Sequence, residues 1–178
     1  MTITLAIDTS TSRTSVAVVD DGVILWSGHR DGATEHGPAL PSLVQEGIKG
    51  FAIEAVVVGM GPGPYTGLRV GIAFAESFAL ARGISVRGVC SLDAIAAQVN
   101  EKDFIVTVDA RRKEVYWARY KDGVRVGEPA VSFPADVAGA PIHADLFPDM
   151  TALVALSGNI TEPIYLRRPD AVATADRT

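Results

Sequence analysis

The stretch LAIDTSTSRTSVAVVDDGVI, residues 5–24, is matched without gaps by VTVDARRKEVYWARYKDGVR, residues 106–125. Five of the twenty aligned positions are identical: Asp8/Asp109, Ala17/Ala118, Asp21/Asp122, Gly22/Gly123 and Val23/Val124. Both copies read as strand, turn, strand. A repeat of this kind predicts two stacked domains of related topology, each opening with three strands and a helix. The boundary is expected near residues 100–103, giving an interface-bearing domain over 1–101 and a smaller one over 102–178.

Between the copies the pattern is α/β. Residues 4–10, 15–21 and 22–30 read as strands joined by turns. In residues 36–49, Leu40, Leu43, Val44 and Ile48 recur at helical spacing. Residues 54–61 form a buried strand, 66–83 the longest helix, 84–89 another strand, and 91–99 a helix with Ser91 as its N-cap. The second half is leaner: one apolar run, ALVALSG (152–158), precedes PIYLRRP (163–169), and 171–178 reads as a frayed polar tail.

The chain has 178 residues, 48% of them hydrophobic and 21% charged, with a formal net charge of −5. That suits a globular protein able to bury a core without covalent staples. Cys90 is the single cysteine, so an intramolecular disulfide is excluded and a reducing, cytoplasmic setting is expected. No apolar run approaches the roughly 20 residues that span a bilayer, and the N-terminus carries no export signal. The acidic balance argues against holding tRNA or DNA by electrostatics alone. The short clusters at 111–113 and 167–168 do not overturn this.

The loop GMGPGPYTGLRVG, residues 59–71, raises the possibility of phosphate binding. Gly59, Gly61 and Gly63 free the backbone, Thr66 is placed to cap the following helix, and Arg69 falls in its first turn. Against a phosphate cradle, Pro62 and Pro64 lack N–H donors. Neither the Gly-Lys-Ser/Thr of a P-loop nor the spacing of a dinucleotide fingerprint is present. A structural strand-to-helix turn is the better reading. In the helix that follows, Leu68, Gly71, Ile72, Ala75, Phe78, Ala79 and Arg82 form a stripe suited to packing on a sheet. The other side, with Val70, Ala73, Phe74, Ser77 and Ala81, is apolar or small as well. A helix apolar most of the way round is either buried or covered by a partner. A partner surface is therefore expected here, shared with Leu40, Val44, Tyr65 and Arg69.

The opening LAIDTSTSRTSVAVVD, the loop GPGPYTGLRVGIAFAESFALA, VDARRKEVYWARY and the closing PIYLRRP together resemble the TsaB family, formerly YeaZ, of tRNA threonylcarbamoyladenosine biosynthesis. The resemblance implies the actin/sugar-kinase/heat-shock ATPase architecture: two ribonuclease-H-like domains, here with a reduced second one. The family's catalytic relative, TsaD, holds its metal through an H-x-x-x-H motif. Ser91 and Ile95 occupy the corresponding positions here, and neither can ligate a divalent ion as imidazole does. His29, His36 and His143 do not pair at that spacing, and His36 reads as a helix-start residue.

The resemblance implies a non-catalytic subunit with no catalytic or metal-binding residues. Its partners would be a TsaD-type enzyme and a TsaE-type ATPase, with tRNA reached only through the complex and a homodimer possible through the same helices. No cofactor is expected to bind stably, and ATP only at a shared or weak site. The alternative is a weak nucleotide-binding or ATPase protein using Asp8, Thr9, Ser10, Gly61, Gly63 and Thr66. The turns after Asp8 and Asp109, however, lack the glycines of the ATPases. A peptidase has no support, since Cys90 has no histidine near it in sequence.

Overall fold

The computed structural model describes residues 2–158 and 160–167. Arg168 and the tail 171–178 lie outside them. Thr4–Asp8 (β1) is buried at all five positions, as a central strand must be when both sheet faces are covered. It pairs antiparallel with Arg13–Asp20 (β2) and parallel with Ala55–Gly59 (β4). Val23–Asp31 (β3) and Ser85–Val89 (β5) complete the order β3-β2-β1-β4-β5. The strand alternation sends Leu5 and Ile7 to one face. There they meet Leu40, Leu43 and Val44 of His36–Gly47 (α1) and Leu68, Ile72, Ala75 and Ala79 of Tyr65–Arg82 (α2). Gly83, left-handed at φ 65°, ends α2 by donating to the Ala79 carbonyl.

The second unit repeats the plan. Asp103–Asp109 (β6) pairs antiparallel with Val115–Lys121 (β7) and parallel with Ile142–His143 (β9). Val124–Ser132 (β8) gives the order β8-β7-β6-β9, the first sheet without its fifth strand. Even the hairpin tips agree. Asp21-Gly22 has φ 45° and 77°, and Asp122-Gly123 has φ 49° and 78°. Two positive φ values in a two-residue tip are what a right-twisted hairpin requires. A short 3-10 turn, Pro134–Asp136, stands between β8 and β9 where the first unit has α1.

Two short helices fill the space between the sheets. In Ser91–Ala96 (α3), Leu92 and Ile95 pack with Phe104, Val106, Tyr116 and Tyr120 of the second sheet. Ala94 joins Met150 and Leu153 of Met150–Ala155 (α4) against Ala6, Ala17, Val19 and Val57, the other face of the first sheet. Asp93 locks α3 to the second unit, accepting from the Tyr120 hydroxyl and the Arg125 guanidinium, each at 2.8 Å. The layers thus run α1/α2, first sheet, α3/α4, second sheet. Two α/β units of related topology, as the repeat implied, are stacked through these helices.

The structure corrects several expectations on these elements. Leu40 and Val44, expected at a partner surface, are 0% and 3% exposed and belong to the core. The reason is that α1 has a single apolar stripe, and the sheet takes it. Thr66 does not cap α2, which begins at Tyr65 with Pro64 as its N-cap and no side-chain cap. Ser91 is the first residue of α3, after Cys90 as N-cap, because its hydroxyl is used elsewhere. His36 does begin α1, as read, and it is buried there, its Nδ1 2.8 Å from the Thr14 hydroxyl.

Candidate functional site

At the C-terminal ends of β1 and β4 the Asp8 turn, the glycine loop and α3 meet. Asp8 is 1% exposed. Its Oδ1 accepts from the Ser10 amide at 2.9 Å and the Ser10 hydroxyl at 2.8 Å, and its Oδ2 accepts from the Ser91 hydroxyl at 2.6 Å. Burial pushes the Asp8 carboxyl above the usual carboxylate range, opposed by the Ser91 and Ser10 donors. Thr9 is equally committed: its hydroxyl donates to the Gly67 carbonyl at 2.8 Å and accepts from the Gly71 amide at 3.2 Å. The turn is thereby stitched to the start of α2.

The glycines allow this closeness. A Cβ on Gly59 would collide with Asp8 Oδ2 and Ser91 Oγ. One on Gly63 would collide with the Ser10 carbonyl oxygen and lie 2.8 Å from Ser10 Cα. Gly61 accepts from the Ser91 amide at 2.8 Å. The loop's glycines therefore serve backbone-to-backbone packing, and Gly61 and Gly63 are buried along with Asp8, Thr9 and Ser10. Ser91 spends its hydroxyl on Asp8, and Ile95 lies in the core. Among the described residues no three His, Cys, Asp or Glu side chains come together as a metal group. Cys90 is fully buried, and burial pushes its thiol up to about 12, which leaves no thiolate for nucleophilic work.

The segment 160–167 straps this region, a feature that the aperiodic PIYLRRP did not announce. The Ile164 amide donates to the Met60 carbonyl at 2.8 Å. The Tyr165 ring lies 4.9 Å from that of Tyr65, and Arg69 Nε donates to the Tyr165 hydroxyl at 3.3 Å. Tyr65 and Arg69, expected at the partner surface, are thus engaged by the strap. Further along α2, Val70 and Phe74 are half-buried against the core, and Phe74 stacks on Phe78 with ring centroids 6.1 Å apart. Ala73, Ser77 and Ala81 are exposed. Beside them Leu80, which the sequence reading did not single out, is 85% exposed.

Residues 30–170 match the model of the family described as TsaD: tRNA N6-adenosine threonylcarbamoyltransferase. Over 137 residues the chain is 35% identical to the Escherichia coli tRNA threonylcarbamoyladenosine biosynthesis protein TsaB, covering 70% of the chain and 58% of that protein. The chain belongs to the TsaB family. An uncharacterized Mycobacterium leprae protein is 42% identical over 208 residues, covering 96% of the chain and 56% of that protein. The chain therefore spans little more than half the length of these two relatives. A Pseudomonas aeruginosa crystal structure, described as an uncharacterized protein with similarity to peptidase YEAZ, superposes with a TM-score of 0.79 at 27% identity. It covers 94% of this chain and 100% of that one. Among the described residues no helix is long and apolar enough to cross a membrane.

Proposed function

We propose that this chain is an accessory subunit that binds a TsaD-type enzyme and supports threonylcarbamoylation of adenosine in tRNA without carrying the catalytic site. Membership of the TsaB family supports the pathway. The accessory role draws support from Ser91 and Ile95, whose side chains offer no metal ligand, and from an Asp8 turn whose polar atoms are spent on one another. A TsaE-type ATPase would join the same assembly, and tRNA would be reached through the catalytic partner.

The observation that carries the partner contact is the outer face of α2. Ala73, Ser77 and Ala81 are small and exposed, and Leu80 stands out of the surface beside them. Small residues let a second helix approach closely, and covering Leu80 would take its apolar surface out of water. The neighbouring α1 adds Pro38, Pro41 and Ser42, also exposed. A second copy of this chain could use the same face when the enzyme is absent.

The test is Leu80→Glu, since Phe74 is too involved with Phe78 to report on an interface alone. Thermal stability of the isolated chain should change by less than about 0.5 kcal/mol, as for other exposed positions. Affinity for the purified TsaD-type partner should fall at least about tenfold, because a carboxylate would be desolvated without a counter-charge. Stimulation of tRNA modification should fall with it. Unchanged binding would place the interface elsewhere, and modification by the isolated chain would overturn the accessory role.

A further inference from the structure

Several parts of the first unit meet at one imidazole. His36, the first residue of α1, is 4% exposed. Its Nδ1 lies 2.8 Å from the hydroxyl of Thr14 on β2, itself fully buried. The other edge of the ring packs on the first turn of α2. A Cβ on Gly67 would lie 3.0 Å from both Cδ2 and Nε2 of His36, and 3.2 Å from the Thr9 carbonyl oxygen. Only glycine leaves room there for the ring. The imidazole therefore fills the joint between α1, β2, the turn after β1 and α2.

A neutral ring offers one N–H and one lone pair. A proton would turn both nitrogens into donors and put a charge into this buried joint. Among the described residues no acidic side chain answers that charge. Asp8, in the turn, is spent on Ser10 and Ser91. Asp31 pairs with Arg13 of β2, and Glu35, just before the ring on α1, is exposed. The space beside the ring is lined by Tyr65 of α2 and Tyr116, Tyr165, Arg111, Arg112 and Arg167. Each of these is neutral or cationic wherever a histidine titrates. Burial holds the His36 ring below the usual histidine range, and the Arg111 cation adds to this; a hydrogen bond with the Thr11 backbone opposes it.

We propose that His36 is an acid-sensitive latch: a proton on its ring loosens the joint between the start of α1 and the first turn of α2, and with it the outer helical layer of the first unit. The latch does not depend on the accessory role proposed above. The outer face of α2 belongs to the same layer, however, so acid would weaken a contact made there.

The experiment follows the full chain by NMR from about pH 8 to about pH 5, the range over which histidine titrates, with folding stability measured alongside. The His36 ring resonance should titrate below 6.5, its ordinary value, and the amides of Thr14 and Gly67 should shift with the same midpoint. Stability from this group is complete above 6.5 and is lost as pH falls through the folded value. Across that window the folding equilibrium should weaken by up to about tenfold per pH unit. His36→Gln keeps a donor and an acceptor for Thr14 and cannot take the charge, so it should lose less than the wild type by that factor. Asp8 contributes equally to both chains and drops out of the difference. A His36→Gln chain as acid-sensitive as the wild type would overturn the proposal. So would a ring that titrates at 6.5 or above, or one whose titration leaves the Gly67 amide unmoved. These last two readings use the wild-type chain, so they decide the matter even where His36→Gln does not fold.

Discussion

The two turns that follow β1 and β6 descend from one pattern and have been put to opposite uses. In each, an aspartate accepts the amide two residues on at 2.9 Å, Ser10 to Asp8 and Arg111 to Asp109. After that they part. The first turn is followed by small hydroxyl residues, which fold inward and satisfy the carboxylate, and the glycine loop closes over it. The second is followed by Arg111, Arg112 and Lys113, too long and too charged to be enclosed, and it opens into a cleft between the two units, where Arg111 and Arg112 form part of the wall. The local hydrogen bond is a property of the Asp-x-x pattern; whether the turn becomes a core or a surface is decided by the volume and charge of the next three residues.

That contrast can be broken by substitution. Gly63→Ala drives a methyl into the Ser10 backbone and should cost about 3 kcal/mol of stability by overpacking. Gly123→Ala in the second hairpin tip meets no neighbour and carries only its φ of 78°, at about 1 kcal/mol. Chemical denaturation of both variants checks the order, and equal losses would mean that the first turn is not closed.

Removing the aspartates should give the next largest difference. Asp8→Ala strands the Ser10 amide and the Ser91 hydroxyl in a buried site, for about 2 to 3 kcal/mol. Asp109→Ala removes one exposed acceptor and should cost below about 1 kcal/mol. Melting curves of the pair test this directly.

The smallest effect is the most specific. The Asp8 carboxyl lies above 3.8, its ordinary value, because of burial. Between 3.8 and its folded value the native chain holds a proton that the unfolded chain has lost. Stability from this group is therefore complete at low pH and declines as pH rises through the folded value. Asp8→Asn keeps an acceptor for Ser10 and removes the titration, so the variant should gain on the wild type as pH is raised from acid to neutral. A constant difference across that range would show that Asp8 ionises as readily in the fold as outside it.

Much of the architecture could be read in advance because it rests on residues with few alternatives. Aspartate at the turn and Asp-Gly at the hairpin tip recur at fixed offset, and strand alternation around them marks the core. The placement of side chains on helices was harder. Leu40 and Val44 were assigned outward although α1 has one apolar stripe only. Phe74 looked free on a helical wheel, whereas its i, i+4 neighbour Phe78 draws it down to the core. The Ser91–Asp8 bond joins residues 83 apart in sequence, and no periodicity signals it. The cleft was missed for a related reason. Its arginines come from 111–112 and 167 and its tyrosines from 65, 116 and 165, and only the folded chain gathers them.

The position of α4 bears on how this protein leaves the ribosome. The inner face of the first sheet, with Ala6, Ala17, Val19 and Val57, finds its cover in Met150 and Leu153. A nascent chain that has released its first hundred residues can assemble the five strands and the two outer helices, yet one side of that sheet remains greasy and open. Closure waits until Met150 and Leu153 have been made, and the strap arrives later still to bond Met60. Until then the half-made protein exposes the kind of surface that chaperones recognise, so slow translation of the second half would lengthen its most vulnerable interval.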